Sequence, residues 1–198
     1  MHYITVFCGA STGWRRVHLE AATAFATTLA RAGLGLVYGG ASTGLMGAIA
    51  DTALAAGAPV IGIIPQSLVR HEVAHRGLTE LHIVESMHER KAMMADLGDA
   101  FVALPGGFGT ADEFFEALTW SQLGLHTKPC AMLDTDGFYT PLLHFLRTAV
   151  DEGFVQGRYL DNLIVARDAE ELLPRLASHV ALPGLFHQEP HAATARAA

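Results

Sequence analysis

The sequence predicts an α/β fold: a doubly wound, mostly parallel sheet with helices on both faces, in three layers. Three observations lead there. Strand-length apolar runs alternate with helix-length segments along the chain, the rhythm of repeated β-loop-α units. Those runs are apolar throughout instead of alternating with polar residues, as in strands covered on both faces. Three of them, ending at Phe7, Tyr38 and Leu104, pass directly into glycine-rich loops that open helices. In a doubly wound sheet such loops gather at one edge, outside the carboxyl ends of the strands, where ligands bind.

Size and composition narrow the class. The 198 residues suit one domain, here residues 1–182, followed by a tail at 183–198 without periodic pattern and expected to be flexible. Apolar residues make up 51 % and charged residues 17 %, which is globular and not disordered. A net charge of -7 argues against nucleic acid as a partner, since binding phosphate backbones needs a basic face. The two cysteines, Cys8 and Cys130, lie far apart without metal-ligand spacing, which fits a reduced, cytoplasmic setting. Tyr3–Phe7 is strand-like from the start, with no signal-peptide pattern, and no apolar run approaches a membrane span.

The elements follow in order. Tyr3–Phe7 is a strand, and Cys8, Gly9, Ala10, Ser11, Thr12 and Gly13 form the first loop. A helix over 17–32 is stopped by Gly33. The strand Gly35–Tyr38 runs into the second loop, which carries Gly39, Gly40 and Gly44, and a helix over 45–56 follows. Gly57 and Pro59 break that helix before an apolar strand at 60–64. A polar excursion containing His71, Glu72 and His75 separates this strand from the next, at 81–84. Ser86 and Glu89 have the spacing of a capping box at the start of the helix carrying Arg90, Lys91 and Met94. The central strand, 100–104, leads through the third loop into a helix expected over 110–123. Strand Cys130–Leu133, a helix over 138–150, a short strand at 163–165 and a helix over 169–180 complete the chain.

The third loop organises the chemistry. Gly106, Gly107 and Gly109 can bring the backbone close to a ligand, and a helix start offers N–H groups and a positive dipole end to a phosphate. No Gly-Lys-Ser/Thr follows, so this is not a P-loop; instead a carboxylate, Glu113, sits about a turn in. Thr110 and Glu113 also have capping-box spacing, a purely structural use of the pair. His71, Glu72 and His75 spell the H-E-x-x-H of zinc proteases. The short segment, with Gly77 close behind, suits no long ligand helix, and no metal is expected. Arg90 and Lys91 stand in the first turn of their helix, at the end where its dipole disfavours cations, which hints at a nearby anion. Cys8 reads as a buried, inert thiol. Lys91 and Lys128 are the only lysines, and nothing around either resembles a pyridoxal site.

Taken together, Pro105 to Glu113 as PGGxGTxxE, and Ser86-Met87-His88-Glu89-Arg90-Lys91 before it, resemble the LONELY GUY (LOG) family of cytokinin riboside 5′-monophosphate phosphoribohydrolases. Its older description is "possible lysine decarboxylase". The similarity runs from Val6-Phe7-Cys8-Gly9 through Gly44-Leu45-Met46-Gly47 to Asp151-Glu152-Gly153-Phe154; it departs at Ala41 and over Trp14-Arg15-Arg16-Val17. The resemblance implies a Rossmann-like fold, a homodimer, and hydrolysis of the N-glycosidic bond of N6-modified adenosine 5′-monophosphates, and of AMP, without a cofactor. It implies Glu113 and Arg90 as catalytic residues. Substrate contacts would come from Glu72, Met87, Arg90, Lys91, Gly106, Gly107, Phe108, Gly109, Thr110, Ala111 and Asp112, with Gly9, Ser11, Gly39, Gly40 and Gly44 from the other loops. Breaking a ribosyl–adenine bond builds oxocarbenium charge, which an ionised Glu113 could stabilise while orienting or deprotonating water, or which it could intercept by attacking C1′ itself. Two alternatives from other classes are a non-catalytic nucleotide-binding module on the same fold and a zinc hydrolase.

Overall fold

The computed structural model describes residues 1–69 and 73–185. The strands are β1 (Tyr3–Phe7), β2 (Gly35–Tyr38), β3 (Val60–Pro65), β4 (Glu80–Val84), β5 (Ala100–Ala103), β6 (Cys130–Leu133) and β7 (Ile164–Ala166). The helices are α1 (Arg16–Arg31), α2 (Gly44–Ala55), α3 (Met87–Leu97), α4 (Phe108–Leu123), α5 (Thr140–Asp151), α6 (Gly157–Asp161) and α7 (Ala169–Ala177). All strand pairs are parallel, in the order β4-β3-β2-β1-β5-β6-β7. The chain winds outward from β1 to β4, then returns to lay β5 against the other side of β1. The order therefore reverses between β1 and β5, which is where a doubly wound sheet opens a crevice.

Two apolar layers follow from the strand period of two. Ile4 and Val6 in β1, Leu36 and Tyr38 in β2, and Ala100 and Val102 in β5 face one way, against Phe25 and Leu29 of α1, Ile49 of α2 and Leu172 of α7. Phe7, Val37, Phe101 and Met132 face the other way, against Met94 of α3 and Phe114 of α4. Both faces are covered, which is why the strands read as continuous apolar runs.

Helix ends match local chemistry closely. Gly33 adopts φ +70. Its N–H donates to Ala30 and that of Leu34 to Leu29, the paired bonds of a Schellman ending that a residue with Cβ would strain. At α3 the Ser86 side chain accepts from the Glu89 N–H. The Glu89 carboxylate reaches back to the N–H of Glu85, one residue before the cap, so only half of the expected box forms.

Several segments differ from the sequence expectation, among them α7, which ends at Ala177, and the region before and after α5. Residues 138–139 are not in α5. A 3-10 turn at Thr135–Gly137 comes first, with Asp136 at φ +52, and the Asp134 carboxylate accepts from the Tyr139 N–H and the Thr140 hydroxyl. That turn delays the helix. The five-residue α6 was not expected, because so short a segment shows no periodicity. At the far end, the Leu185 N–H donates to the Gln122 carbonyl of α4; the tail residues 186–198 lie outside the described residues. Among the described residues, no helix is long and apolar enough to cross a membrane.

Candidate active site

The three glycine-rich loops meet. At the reversal point the Gly9 N–H donates to the Pro105 carbonyl, joining the loops after β1 and β5, and the Gly9 carbonyl accepts from the Leu45 N–H at the start of α2. Gly44 lies so close to the first loop that a Cβ there would sit 2.2 Å from the Ala10 carbonyl carbon. Between these loops opens a cleft of about 340 Å³, lined by residues 9–13, Leu45 and residues 105–107, with His18 and Phe138 at one side.

The start of α4 differs from the expectation. The helix begins at Phe108 with Gly107 as its cap, two residues ahead of the expected start at Thr110. Gly107 is the non-helical cap residue (φ -102, ψ -148), so Thr110 enters the helix as its third residue. Thr110 is buried beneath Gly106, where a Cβ would lie 2.1 Å from the Thr110 hydroxyl oxygen. The Thr110–Glu113 capping box is therefore not formed: Glu113 stands in the second turn, past the orphan N–H groups of the first.

Among the described residues, no side chain caps this helix start. At Gly107 and Gly109 a Cβ would meet nothing within 4 Å, and neither residue has positive φ. Neither packing nor backbone conformation requires glycine at these positions. A ligand brought close to the backbone would require it, and the uncapped N–H groups and positive dipole end favour an anion there. Phe108 stands 98 % exposed beside them.

Arg90 is the second anchor. In the first turns of α3 it is only 4 % exposed. Its Nε donates to the Ile63 carbonyl at 3.1 Å and its Nη2 to the Gly39 carbonyl at 2.9 Å. The ends of β3 and β2 thus fix the plane of the guanidinium. Gly39 is glycine for this reason: a Cβ there would fall 1.9 Å from Nη2. The remaining nitrogen, Nη1, lies 3.7 Å from the Met87 sulfur and 3.8 Å from Oε1 of Glu113, whose side chain is 11 % exposed. Glu113 also faces the end of β1: burial, and behind it the charge of Glu113, push the Cys8 thiol well above its usual range. That leaves Cys8 an inert thiol, as expected.

The other expected residues divide. Gly9, Ser11, Gly106 and Gly107 line the cleft. Gly109, Thr110 and Ala111 belong to the helix start above it. Gly39 and Met87 surround Arg90, and Gly40 accepts the His75 N–H behind it. Lys91 and Asp112 stand apart: Lys91 Nζ binds Asp112 at 3.2 Å and Glu116 at 3.0 Å, tying α3 to α4. Burial lowers the Lys91 pKa, but the hydrogen bonds to Glu116 and Asp112 outweigh it and hold the ammonium above its usual value. Glu72 lies outside the described residues, as does His71. His75 has both ring nitrogens engaged, Nδ1 by the Gly77 N–H and Nε2 with Asp51 at 2.9 Å. Sequence reasoning missed His18, Phe138 and Tyr139. His18 is the third residue of α1, the same place relative to the first loop that Thr110 has relative to the third. The Tyr139 hydroxyl donates to the Leu104 carbonyl at 2.6 Å and steadies the end of β5.

This geometry pairs an anion-ready helix start with a nearly buried carboxylate held beside a fixed guanidinium. Residues 46–176 match the family described as "Possible lysine decarboxylase". Over 176 residues the chain is 51 % identical to the cytokinin riboside 5′-monophosphate phosphoribohydrolase of Rhodococcoides fascians, covering 88 % of this chain and 89 % of that one. The chain belongs to the LONELY GUY (LOG) family. A LOG relative of the same description from Arabidopsis thaliana is 46 % identical, covering 89 % of this chain and 83 % of its own. One from Oryza sativa subsp. japonica is 45 % identical, with 89 % and 73 % covered. Among solved structures, the molybdenum cofactor carrier protein from Chlamydomonas reinhardtii superposes with a TM-score of 0.69 at 23 % identity, covering 91 % of this chain and 99 % of that one. The molybdenum cofactor binding protein from Rippkaea orientalis gives 0.68 at 21 %, covering 89 % and 96 %. These two share the fold. The family's older description finds no support in the lysines of this LOG chain: Lys91 is paired with carboxylates, and Lys128 Nζ is held by the Ala95 carbonyl.

Proposed function

We propose that this chain hydrolyses the N-glycosidic bond of N6-modified adenosine (cytokinin riboside) 5′-monophosphates, and of AMP, giving free base and ribose 5-phosphate. The observation that carries this reading is Glu113, nearly buried, 3.8 Å from Arg90 and one turn beyond an uncapped, glycine-opened helix start. In this reading the phosphate binds the N–H groups at the start of α4 and places the ribose under Glu113. The bond from C1′ to the base breaks with its electron pair going to the base, which leaves protonated, while water supplies the new C1′–OH bond. The positive charge that develops on the sugar is stabilised by the Glu113 carboxylate, which Arg90 holds in place. No metal or cofactor is called for, because the carboxylate supplies that stabilisation.

Residues 1–182 act as one catalytic unit in this reading, in the cytoplasm and as a homodimer. Supporting the dimer, α5 has no fully buried residue, and Phe145 and Phe154 stand 63 % and 84 % exposed. Supporting a reducing compartment, Cys8 and Cys130 are both free thiols. The test is a panel of adenine nucleotides and nucleosides with detection of free base. The 5′-monophosphates are cleaved, and the corresponding ribosides fall by about 100-fold or more, because remote binding energy is spent at the reacting centre. Binding without release of base would instead make the chain a nucleotide-binding module, and equal turnover of riboside and monophosphate would remove the phosphate from the α4 helix start.

A further inference from the structure

We infer that His18 is a direct ligand of the substrate phosphate and the source of positive charge in the cleft. Among the described residues lining the cleft, His18 is the only side chain that can carry a charge; the rest of that lining is glycine, alanine, serine, threonine, leucine, proline and phenylalanine. A monophosphate brings up to two negative charges, and backbone N–H groups alone leave them unneutralised. The cations near the cleft are committed elsewhere. Arg15 is bound to Asp136, and Arg16 to Glu20. Arg90 is held by the carbonyls of Ile63 and Gly39 and faces Glu113, and Lys91 is held by Asp112 and Glu116.

The imidazole itself is placed but not satisfied. It sits edge-on to the Phe138 ring, centroids 5.5 Å apart at 74°, with Gly13 on another side. Its Nδ1 is enclosed and has no hydrogen-bond partner among the described residues. The protein thus fixes where the ring lies. A polar ring placed in this way calls for an explanation, and a phosphate in the cleft that the ring lines gives one: with Nδ1 enclosed, the N–H offered to a phosphate oxygen is that of Nε2. The charged groups nearest His18 along the chain are Arg15, the cap of its helix, and Arg16 and Glu20 within it, while Asp136 stands two residues before Phe138. Arg15 and Asp136 neutralise each other, so the phosphate becomes the dominant partner for the ring. His18 would then be the group through which the enzyme distinguishes a 5′-monophosphate from a neutral riboside.

This rests on the cleft being the monophosphate site, and the test separates the two claims. Inorganic phosphate and ribose 5-phosphate are titrated into the full chain, following the His18 imidazole by NMR and the inhibition of turnover. Phosphate is expected to shift the His18 signals. In His18→Ala the KM for 5′-monophosphates and the phosphate inhibition constant rise together by roughly tenfold or more, the scale of a hydrogen bond to a charged group. The kcat stays within a few-fold, whereas a loose, merely structural lesion would lower kcat without this matched rise. His18→Gln, a donor without charge, falls between, and it carries the comparison if the alanine variant melts early. Unmoved His18 signals together with unchanged phosphate inhibition in either variant would overturn the assignment. A wild-type chain inactive on every nucleotide would sink the hydrolase reading, while the phosphate titration would still decide His18.

Discussion

At the scale of single residues, Glu113 and Arg90 are distinguished by what holds them. Arg90 is fixed by two backbone carbonyls, so its guanidinium stays in place whether or not a carboxylate faces it. Glu113 has no capping role at the helix start, which lies a full turn before it. Replacing it with Gln therefore removes charge while leaving the fold largely intact. We expect Glu113→Gln to change stability by only about 1 kcal/mol, since the carbonyl bonds to Arg90 persist. We expect turnover to fall roughly 100-fold or more, the scale of losing a positioned acid–base group. Melting and single-turnover cleavage measured on one preparation check both; a folded variant working at near wild-type rate would take Glu113 out of the mechanism. Arg90→Lys should also lose activity, because an ammonium cannot satisfy the two carbonyls and face Glu113 with one planar fork.

At the scale of the element, the start of α4 separates two kinds of glycine. Gly106 is required by packing, since a Cβ would collide with the Thr110 hydroxyl. Gly109, the second residue of the helix, has open space where a Cβ would be and an ordinary φ. By helix propensity alone, Gly109→Ala should leave the protein as stable or up to about 1 kcal/mol more stable. If a phosphate oxygen approaches that backbone, the same change should weaken substrate binding and cut kcat/KM at least tenfold, because the added methyl intrudes on the ligand. Thermal melting beside kcat/KM decides it; a stabilised variant with full activity would place the ligand elsewhere. Gly106→Ala is the control, losing stability and activity together.

At the scale of the whole molecule, the sheet places the site and its packing sets the acid limit. His126 lies between α4 and β6, its ring 5.0 Å from Phe101, with Nε2 donating to the Ala117 carbonyl and Nδ1 accepting from the Lys128 N–H. That arrangement needs the neutral ring. Burial, aided by the charge of Lys128, lowers its pKa, and the Ala117 bond recovers only part of the shift. The unfolded chain then takes up the proton first as pH falls, so this stability is complete above about pH 6.5 and drains away below it, toward the lower folded value. Denaturation midpoints at pH 7.5 and 5.5 should show the loss. His126→Gln should be less stable at both but show a smaller difference between them; an equal difference would clear His126 of the effect.

The same scale separates what the sequence determined from what it left to the fold. The layers were legible because period and burial are local: strands covered on both faces must be apolar throughout, and a glycine such as Gly33 marks a helix end by its backbone alone. The third loop reads in sequence as a phosphate-type turn with Glu113 and Arg90 as its expected chemical residues, because their neighbours form the motif, and the fold brings those two side chains to 3.8 Å. The exact start of α4 was not, since Gly107 and Thr110 can both cap and only the burial of Thr110 under Gly106 chooses between them. Lys91 read as a companion of Arg90, but consecutive residues on a helix point about 100° apart, and the packing of α4 turned Lys91 onto Asp112 and Glu116. His18 and Phe138 left no signal: 120 residues of chain separate them, and only the placing of β5 beside β1 and of β6 beside β5 brings both to one cleft. Contacts between residues so distant in sequence belong to the order of strands in the sheet, and tertiary packing alone decides that.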